Sequence, residues 1–241
     1  MIDWLKRNPR EQSSITVAGR ELPLVIRRLD HARRMTLRLA PDGSEVRISM
    51  PRWGRTVEAV AFARSRAEWL AEQYADVPKP ELPSGGGRLL YRGSPLSIAH
   101  SSVAPRRPRL EAGAIHIGGP SEALPGRLRR WLESEARRLL AEDLAHYCAL
   151  AGREAPKLAL SNARRRWGSC AADGAIRINW RLVMAPDHVR RSVVAHEVAH
   201  LVHFDHSPRF HALLKDMFEG DIARANAWLK REGRNLYQPF G

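Results

Sequence analysis

Cysteine and long apolar runs are scarce in this sequence. Its 241 residues include two cysteines, Cys148 and Cys170, which do not form a C-x-x-C pair. This excludes a disulfide-stapled scaffold and favours a reducing compartment. No run approaches the roughly 20 apolar residues of a membrane-spanning helix, and the first residues lack the apolar segment of a signal peptide. We therefore expect a cytoplasmic protein without a membrane partner.

Acidic residues are also in short supply. The chain has 40 lysines and arginines but 26 aspartates and glutamates, which gives a formal net charge of +14. This excess predicts attraction to polyanions such as nucleic acid or nucleotides, although an arginine-rich composition also produces a basic surface without such a partner. A hydrophobic share of 44% is sufficient for a packed core and excludes a wholly disordered chain.

The N-terminal part of the sequence has the pattern of a β-rich region with one helix. Residues 14–50 alternate between apolar and polar side chains, and the PDG tripeptide at 41–43 is typical of a hairpin turn. A helical pattern follows, with Thr56 as its expected N-cap. A proline- and glycine-rich stretch at 77–87 ends this region, which we place at residues 1–87.

The rest of the sequence divides into a connecting part and a helix-rich part. Short strand-like runs fill residues 88–124, which we interpret as short strands and a connection. Residues 125–241 combine helical patterns with a few strand candidates, and this mixture predicts an α+β region in which helices dominate. The first helical pattern covers about 125–151 and stops at Gly152.

One helical segment carries an H-E-x-x-H pattern formed by His196, Glu197 and His200. Histidines four residues apart stand one helical turn above each other, so both imidazoles can reach a single zinc ion. The glutamate lies beside that ion, where it can take a proton from zinc-activated water. Because the pentapeptide also occurs by chance, two surface histidines on an ordinary helix are the competing interpretation.

A third histidine strengthens the zinc interpretation. His206 lies six residues after His200 and just before Ser207 and Pro208, which together predict the start of a helix. A bend at this point would bring His206 over the metal and leave the fourth coordination position open. His203 is the rival third ligand. Because it would require a distorted helix, we assign it either to the surroundings of the ligands or to the substrate side.

Three longer runs contain this motif and its surroundings. They are RRRWGSC at 164–170, IRINWRLVMAP at 176–186 and VVAHEVAHLVHFDHSPRF at 193–210. Together they resemble the YgjP-like metallopeptidase family, related to the SprT and Wss1 zinc proteases. The resemblance implies a zincin-like fold of the minigluzincin type, with a helical catalytic region and a small antiparallel sheet after the β-rich region. It also implies His196, His200 and His206 as zinc ligands and Glu197 as the general base.

Other residues in these runs are candidates for contact with a substrate. Arg166 is suited to hold a carboxylate or phosphate, and Trp167 is suited to form a wall of the pocket. Asn179 and His203 complete the candidate substrate-binding set, with Asn179 bracing either a ligand or the strand pair. In the competing interpretation, both Trp167 and Trp180 belong to the core.

Three functions are compatible with these residues. The preferred hypothesis is a zinc metallohydrolase, in particular a metallopeptidase that cleaves polypeptides with zinc-activated water and Glu197 as general base. A nucleotide or phosphoanhydride hydrolase with the same metal site is the first alternative, because the arginines at 164–166 suit phosphates. A nucleic-acid-associated protease that acts on DNA-bound proteins is the second, because the basic charge favours nucleic acid and the resemblance to the SprT and Wss1 proteases implies such substrates.

Overall fold

The computed structural model describes the chain at residues 12–40, 43–77, 81–164 and 166–240. By their contacts the residues form two units, 1–78 and 79–241. The division falls within the proline- and glycine-rich stretch, and the short strands of 88–124 belong to the second unit.

The first unit is a four-stranded sheet with two helices. Its elements are β1 Gln12–Val17, β2 Arg20–Leu29, β3 Thr36–Leu39, β4 Val46–Pro51, α1 Thr56–Arg64 and α2 Ala67–Ala75. The strand order is β1-β2-β4-β3, with β2 and β4 parallel and the other neighbours antiparallel. Leu24, Ile48 and Ala63 are fully buried in its core. In the predicted turn, Gly43 has a φ of +69°, while residues 41–42 lie outside the described residues.

The single helix expected from Thr56 is divided into α1 and α2. At the break, the Ser65 hydroxyl donates a hydrogen bond to the Phe62 carbonyl oxygen and thereby competes with the helical hydrogen-bond pattern. The N-cap is Arg55 rather than Thr56, because the backbone is still extended at Arg55 and its N–H donates to Glu58. These local hydrogen bonds correct two expectations from the sequence pattern.

Two small sheets belong to the second unit. Their strands are β5 Arg88–Tyr91, β6 Ser94–Ser101, β7 Arg109–Glu111, β8 Ala114–Gly118, β9 Leu158–Ser161, β10 Gly168–Cys170 and β11 Ile176–Asn179. The orders are β5-β6-β8-β7 and β10-β11-β9. The second sheet is mixed rather than purely antiparallel: β10 and β11 form a hairpin, whereas β9 pairs with β11 in parallel. Strand β10 is therefore an edge strand.

Four helices complete the second unit. They are α3 Leu124–Leu150, α4 Asp187–Ala199, α5 Pro208–Met217 and α6 Ile222–Glu232, with 3₁₀ turns at Ser121–Ala123, Trp180–Val183 and Gly233–Tyr237. Helix α3 contributes a stripe of buried leucines to a core that both sheets share. A buried ion pair joins α4 to α3, because Arg190 Nε donates to Asp143 Oδ2 at 2.7 Å. Gly152 follows α3 with a φ of +62°.

The elements confirm the α+β class predicted from the sequence, with helices and small sheets packed around a common core in the second unit. Across the part of the chain that the structure describes, we find no helix with the length and apolar character needed to cross a membrane.

Candidate metal centre

Helix α4 carries the first two residues of the H-E-x-x-H motif in its last turn. Its apolar side, which includes Val189, Val194 and Val198, is fully buried, and this fixes the orientation of the helix. His196 therefore lies at the rim of the core and Glu197 is buried. The helix ends one residue before His200, which occupies the C-cap position.

The chain bends after α4, as expected, and returns with α5. The Ser207 side chain caps α5 by accepting a hydrogen bond from the Phe210 backbone N–H, and Pro208 is the first helical residue. This bend places His206 Nε2 3.3 Å from His196 Nε2. The structure thus brings together the two histidines that the spacing predicted to converge.

The three imidazoles of His196, His200 and His206 form a group whose ligand atoms all lie within 4.8 Å of one another. Two nitrogens bound to one tetrahedral zinc ion, at about 2.0–2.1 Å each, are about 3.4 Å apart. The observed separation of 3.3 Å between His196 and His206 matches this requirement. The spacing of this pair therefore fits two nitrogens bound to one metal ion, and the third imidazole has its ligand atom within 4.8 Å of both.

Burial and a main-chain contact keep the imidazoles of His196 and His200 in the form that binds a metal. Burial, together with the charges of the neighbouring histidines, lowers the pKa of His196 to about 4. Burial also lowers the pKa of His200. With its proton on Nδ1, His200 donates to the His203 carbonyl oxygen at 3.2 Å, which leaves Nε2 free for a metal. This contact is made by the backbone of His203, whose side chain is outside the three-histidine group.

Phe210 forms a common support for the three rings. It is fully buried, and its ring centroid lies 5.0 Å from that of His196, 4.6 Å from that of His200 and 4.9 Å from that of His206. Edge-on and tilted contacts of this kind restrict the rotation of the imidazoles. Our sequence analysis included this residue at the end of the 193–210 run but assigned it no role; the available signal was an aromatic residue three positions after the N-cap of α5.

Glu197 is held against the edge strand β10. A β-carbon at Gly168 would lie 2.4 Å from Glu197 Oε1, so only glycine leaves room for this carboxyl group. Burial raises the pKa of Glu197 to about 7, while a hydrogen bond from the Cys170 backbone and the charge of Arg166 oppose this rise. A carboxyl group with this pKa can exchange a proton near neutral pH.

A cavity of about 200 Å³ opens beside Glu197 and His196. Trp167 and Gly168 line one side of it, and Leu214 of α5 is also part of the lining. The site therefore combines a metal-binding group, a buried carboxyl group and a partly open cavity at the edge of a sheet.

The remaining candidate residues differ in their distance from this cavity. Arg166 is exposed and acts on Glu197 through its charge. Trp167 lines the cavity and also packs on Tyr237, with ring centroids 5.7 Å apart. Asn179 is fully buried, and its amide donates to the Ala163 carbonyl oxygen at 2.8 Å and to the Tyr237 hydroxyl at 3.0 Å. Asn179 thus braces the chain next to the site.

Trp180 belongs to the core. It is 2% exposed and packs on Phe240, with ring centroids 5.8 Å apart. The guanidinium of Arg181 lies over the same indole at 4.5 Å. For this tryptophan, the core interpretation is the one that the structure bears out.

Comparison with known proteins gives a family match and a distant structural match. A family model described as "YgjP-like, metallopeptidase domain" matches residues 33–232. No curated protein matches the chain. Among solved structures, the crystal structure of the metallopeptidase zymogen of Pyrococcus abyssi abylysin is similar over 41% of this chain and 96% of that chain, with 20% identity and a TM-score of 0.35.

Proposed function

Because the chain belongs to the YgjP-like metallopeptidase family, we propose that it is a zinc-dependent peptidase. In this proposal His196, His200 and His206 hold the metal, and Glu197 is the general base. Its main support is the convergence of three imidazoles, whose ligand atoms lie within 4.8 Å of one another, next to a buried glutamate.

The donor chemistry supports zinc as the metal. Three neutral imidazole nitrogens form a common ligand set of catalytic zinc sites, in which one coordination position remains for water or substrate. When bound, zinc lowers the pKa of a water molecule and polarises the scissile carbonyl group. The lowered pKa of His196 keeps its imidazole neutral, and the hydrogen bond from His200 to the backbone orients the His200 ring.

Glu197 is suited to move the proton. One of its oxygens would accept a proton from the attacking water, and the same carboxyl group would then give it to the leaving amine nitrogen. In the metal-free site, burial raises the pKa of Glu197 to about 7, and this burial favours the protonated form that the second transfer requires. Close packing on Gly168 fixes the carboxyl position, which a general base requires.

Strand β10 is suited to position a polypeptide substrate. Its outer edge is unpaired in the described sheet, so an extended peptide could add to it by main-chain hydrogen bonds. Such a peptide would pass the cavity that Trp167 and Glu197 line. Arg166 and Trp167 would then contact its side chains or carboxylates.

The phosphoanhydride alternative shares the same metal site. Arg166 favours it, because its charge reaches Glu197 and would also attract a phosphate. Assays of the purified protein on unstructured polypeptides and on a panel of nucleoside triphosphates separate the two functions. Cleavage of the triphosphates without any peptide cleavage would establish the alternative.

Metal content and activity of the purified protein test the proposal. We expect one zinc per chain and peptide cleavage that a chelator removes and added zinc restores. Glu197→Gln should retain the zinc and lose the activity, whereas Glu154→Gln, at an exposed glutamate, should keep both. Full activity of Glu197→Gln, or of the zinc-free protein, would reject the proposed mechanism.

A further inference from the structure

The second unit contains a basic cleft that shares no lining residue with the metal centre. It has a volume of about 660 Å³. Four arginines are part of its lining, and we therefore call it the arginine cleft. The lining residues that matter here are these arginines, one tryptophan and one glutamate: Arg106, Arg107, Arg127, Arg130, Trp131 and Glu135. The peptidase proposal makes no use of these residues.

One wall of the arginine cleft is a face of helix α3. Arg130 and Trp131 lie three and four residues after Arg127, so their side chains emerge on the same side of the helix as that of Arg127. Trp131 is half-buried and packs on Tyr91, with ring centroids 5.1 Å apart. This contact holds the indole in place while part of it remains open to the cleft.

The opposite wall is the loop between β6 and β7, which carries Arg106 and Arg107. The loop is anchored to the end of β8, because the Gly118 N–H donates to the Pro105 carbonyl oxygen at 2.8 Å. At the neighbouring Gly119, a β-carbon would lie 2.9 Å from Arg127 Nη1 and 3.1 Å from Arg106 Cγ. The absence of a side chain at Gly119 therefore lets the two walls of the cleft lie this close to each other.

The positive charge of the arginine cleft is not neutralised within the described part of the chain. None of its four arginines pairs with a carboxylate there, and Arg127 donates to the Pro120 carbonyl oxygen instead. Glu135 lines the cleft, but its carboxylate accepts hydrogen bonds from the Tyr91 hydroxyl and from Arg138. Like charges placed together in this way repel one another unless an anion joins them.

We propose that the arginine cleft binds single-stranded nucleic acid. Guanidinium groups bind phosphates bidentately, and four of them on two walls match successive phosphates better than one small anion. The accessible part of Trp131 offers a surface on which an unpaired base can stack, a contact that a base in a duplex cannot make. The net charge of +14 would add to the attraction.

Fluorescence anisotropy of the full chain with a labelled oligodeoxythymidine of about 16 nucleotides tests this proposal, since that length fills a typical single-strand groove. The double variant Arg106→Gln/Arg107→Gln should weaken binding about tenfold or more at low salt. It should also reduce the slope of log affinity against log salt by about 1.4, because each phosphate contact contributes about 0.7. Trp131→Leu should weaken binding with little change in that slope.

The double variant Arg33→Gln/Arg34→Gln is the matched control. It removes the same charge from two consecutive exposed arginines of the first unit and should bind like the wild type. Arg130→Gln is a second variant of the cleft that leaves the loop unchanged. Absence of binding at low salt, equal losses in both double variants, or equal competition by a free nucleoside triphosphate would each overturn the proposal.

Discussion

Replacing Gly168 by alanine tests whether the position of the Glu197 carboxyl group determines the rate of peptide cleavage. A β-carbon at this position would lie 2.4 Å from Glu197 Oε1, whereas ordinary contacts begin near 3.4 Å. The carboxyl group must therefore move by about 1 Å, and a displacement of about 1 Å can lower a rate about 100-fold. Gly168 lies in β10 without a positive φ, so the alanine backbone itself is not strained.

The assay is cleavage of a quenched fluorescent peptide, with zinc content and melting temperature measured on the same samples. We expect Gly168→Ala to lower kcat about 100-fold and to leave the zinc content unchanged. Gly126→Ala is the control, because a β-carbon there meets only Arg130 Nη1, at 3.5 Å. In a chain that already carries Glu197→Gln, adding Gly168→Ala should lower kcat little further, since the general base is already absent. A wild-type kcat for Gly168→Ala would refute this reasoning.

Three further predictions concern other parts of the second unit. His206→Ala should bind less than one zinc per chain at micromolar free zinc, because one of three donors is lost; full occupancy by atomic absorption would contradict this role. Asn179→Ala should lower the unfolding free energy by about 1–3 kcal/mol, because its hydrogen bond to the Tyr237 hydroxyl is buried; an unchanged denaturation midpoint would argue against this. Burial alone would raise the pKa of Asp187, but its contacts with Arg92 and Arg190 outweigh burial, so the pKa is lowered. This carboxylate thus stabilises the fold above its unfolded pKa and loses that effect as the pH falls through its folded pKa. The wild-type melting temperature should therefore fall more on acidification than that of Asp187→Asn, and parallel curves would exclude the effect.

Local sequence patterns were sufficient to predict the two helices of the candidate site and the bend between them. The H-E-x-x-H spacing places two imidazoles on one side of α4, and the Ser207-Pro208 pair predicts the start of α5. These signals depend on residues within one or two helical turns of one another. For this reason they could indicate where the chain bends and that His206 would return to the other histidines.

The remaining features depend on contacts between distant residues. Gly168 and Glu197 lie on different elements, and no periodicity in either segment indicates that one leaves space for the other. The support of the imidazoles by Phe210 likewise arises from the packing of α5 on α4. The parallel pairing of β9 with β11 was missed because the turn at 171–175 specifies only the β10–β11 hairpin.

Anomalous scattering from a crystal grown with zinc is the most direct test of the metal centre. We predict one strong peak about 2.0–2.1 Å from nitrogens of His196, His200 and His206, the distance expected for zinc bound by imidazole. Side chains turned away from one another with no peak between them, or zinc held by a different set of residues, would contradict the account.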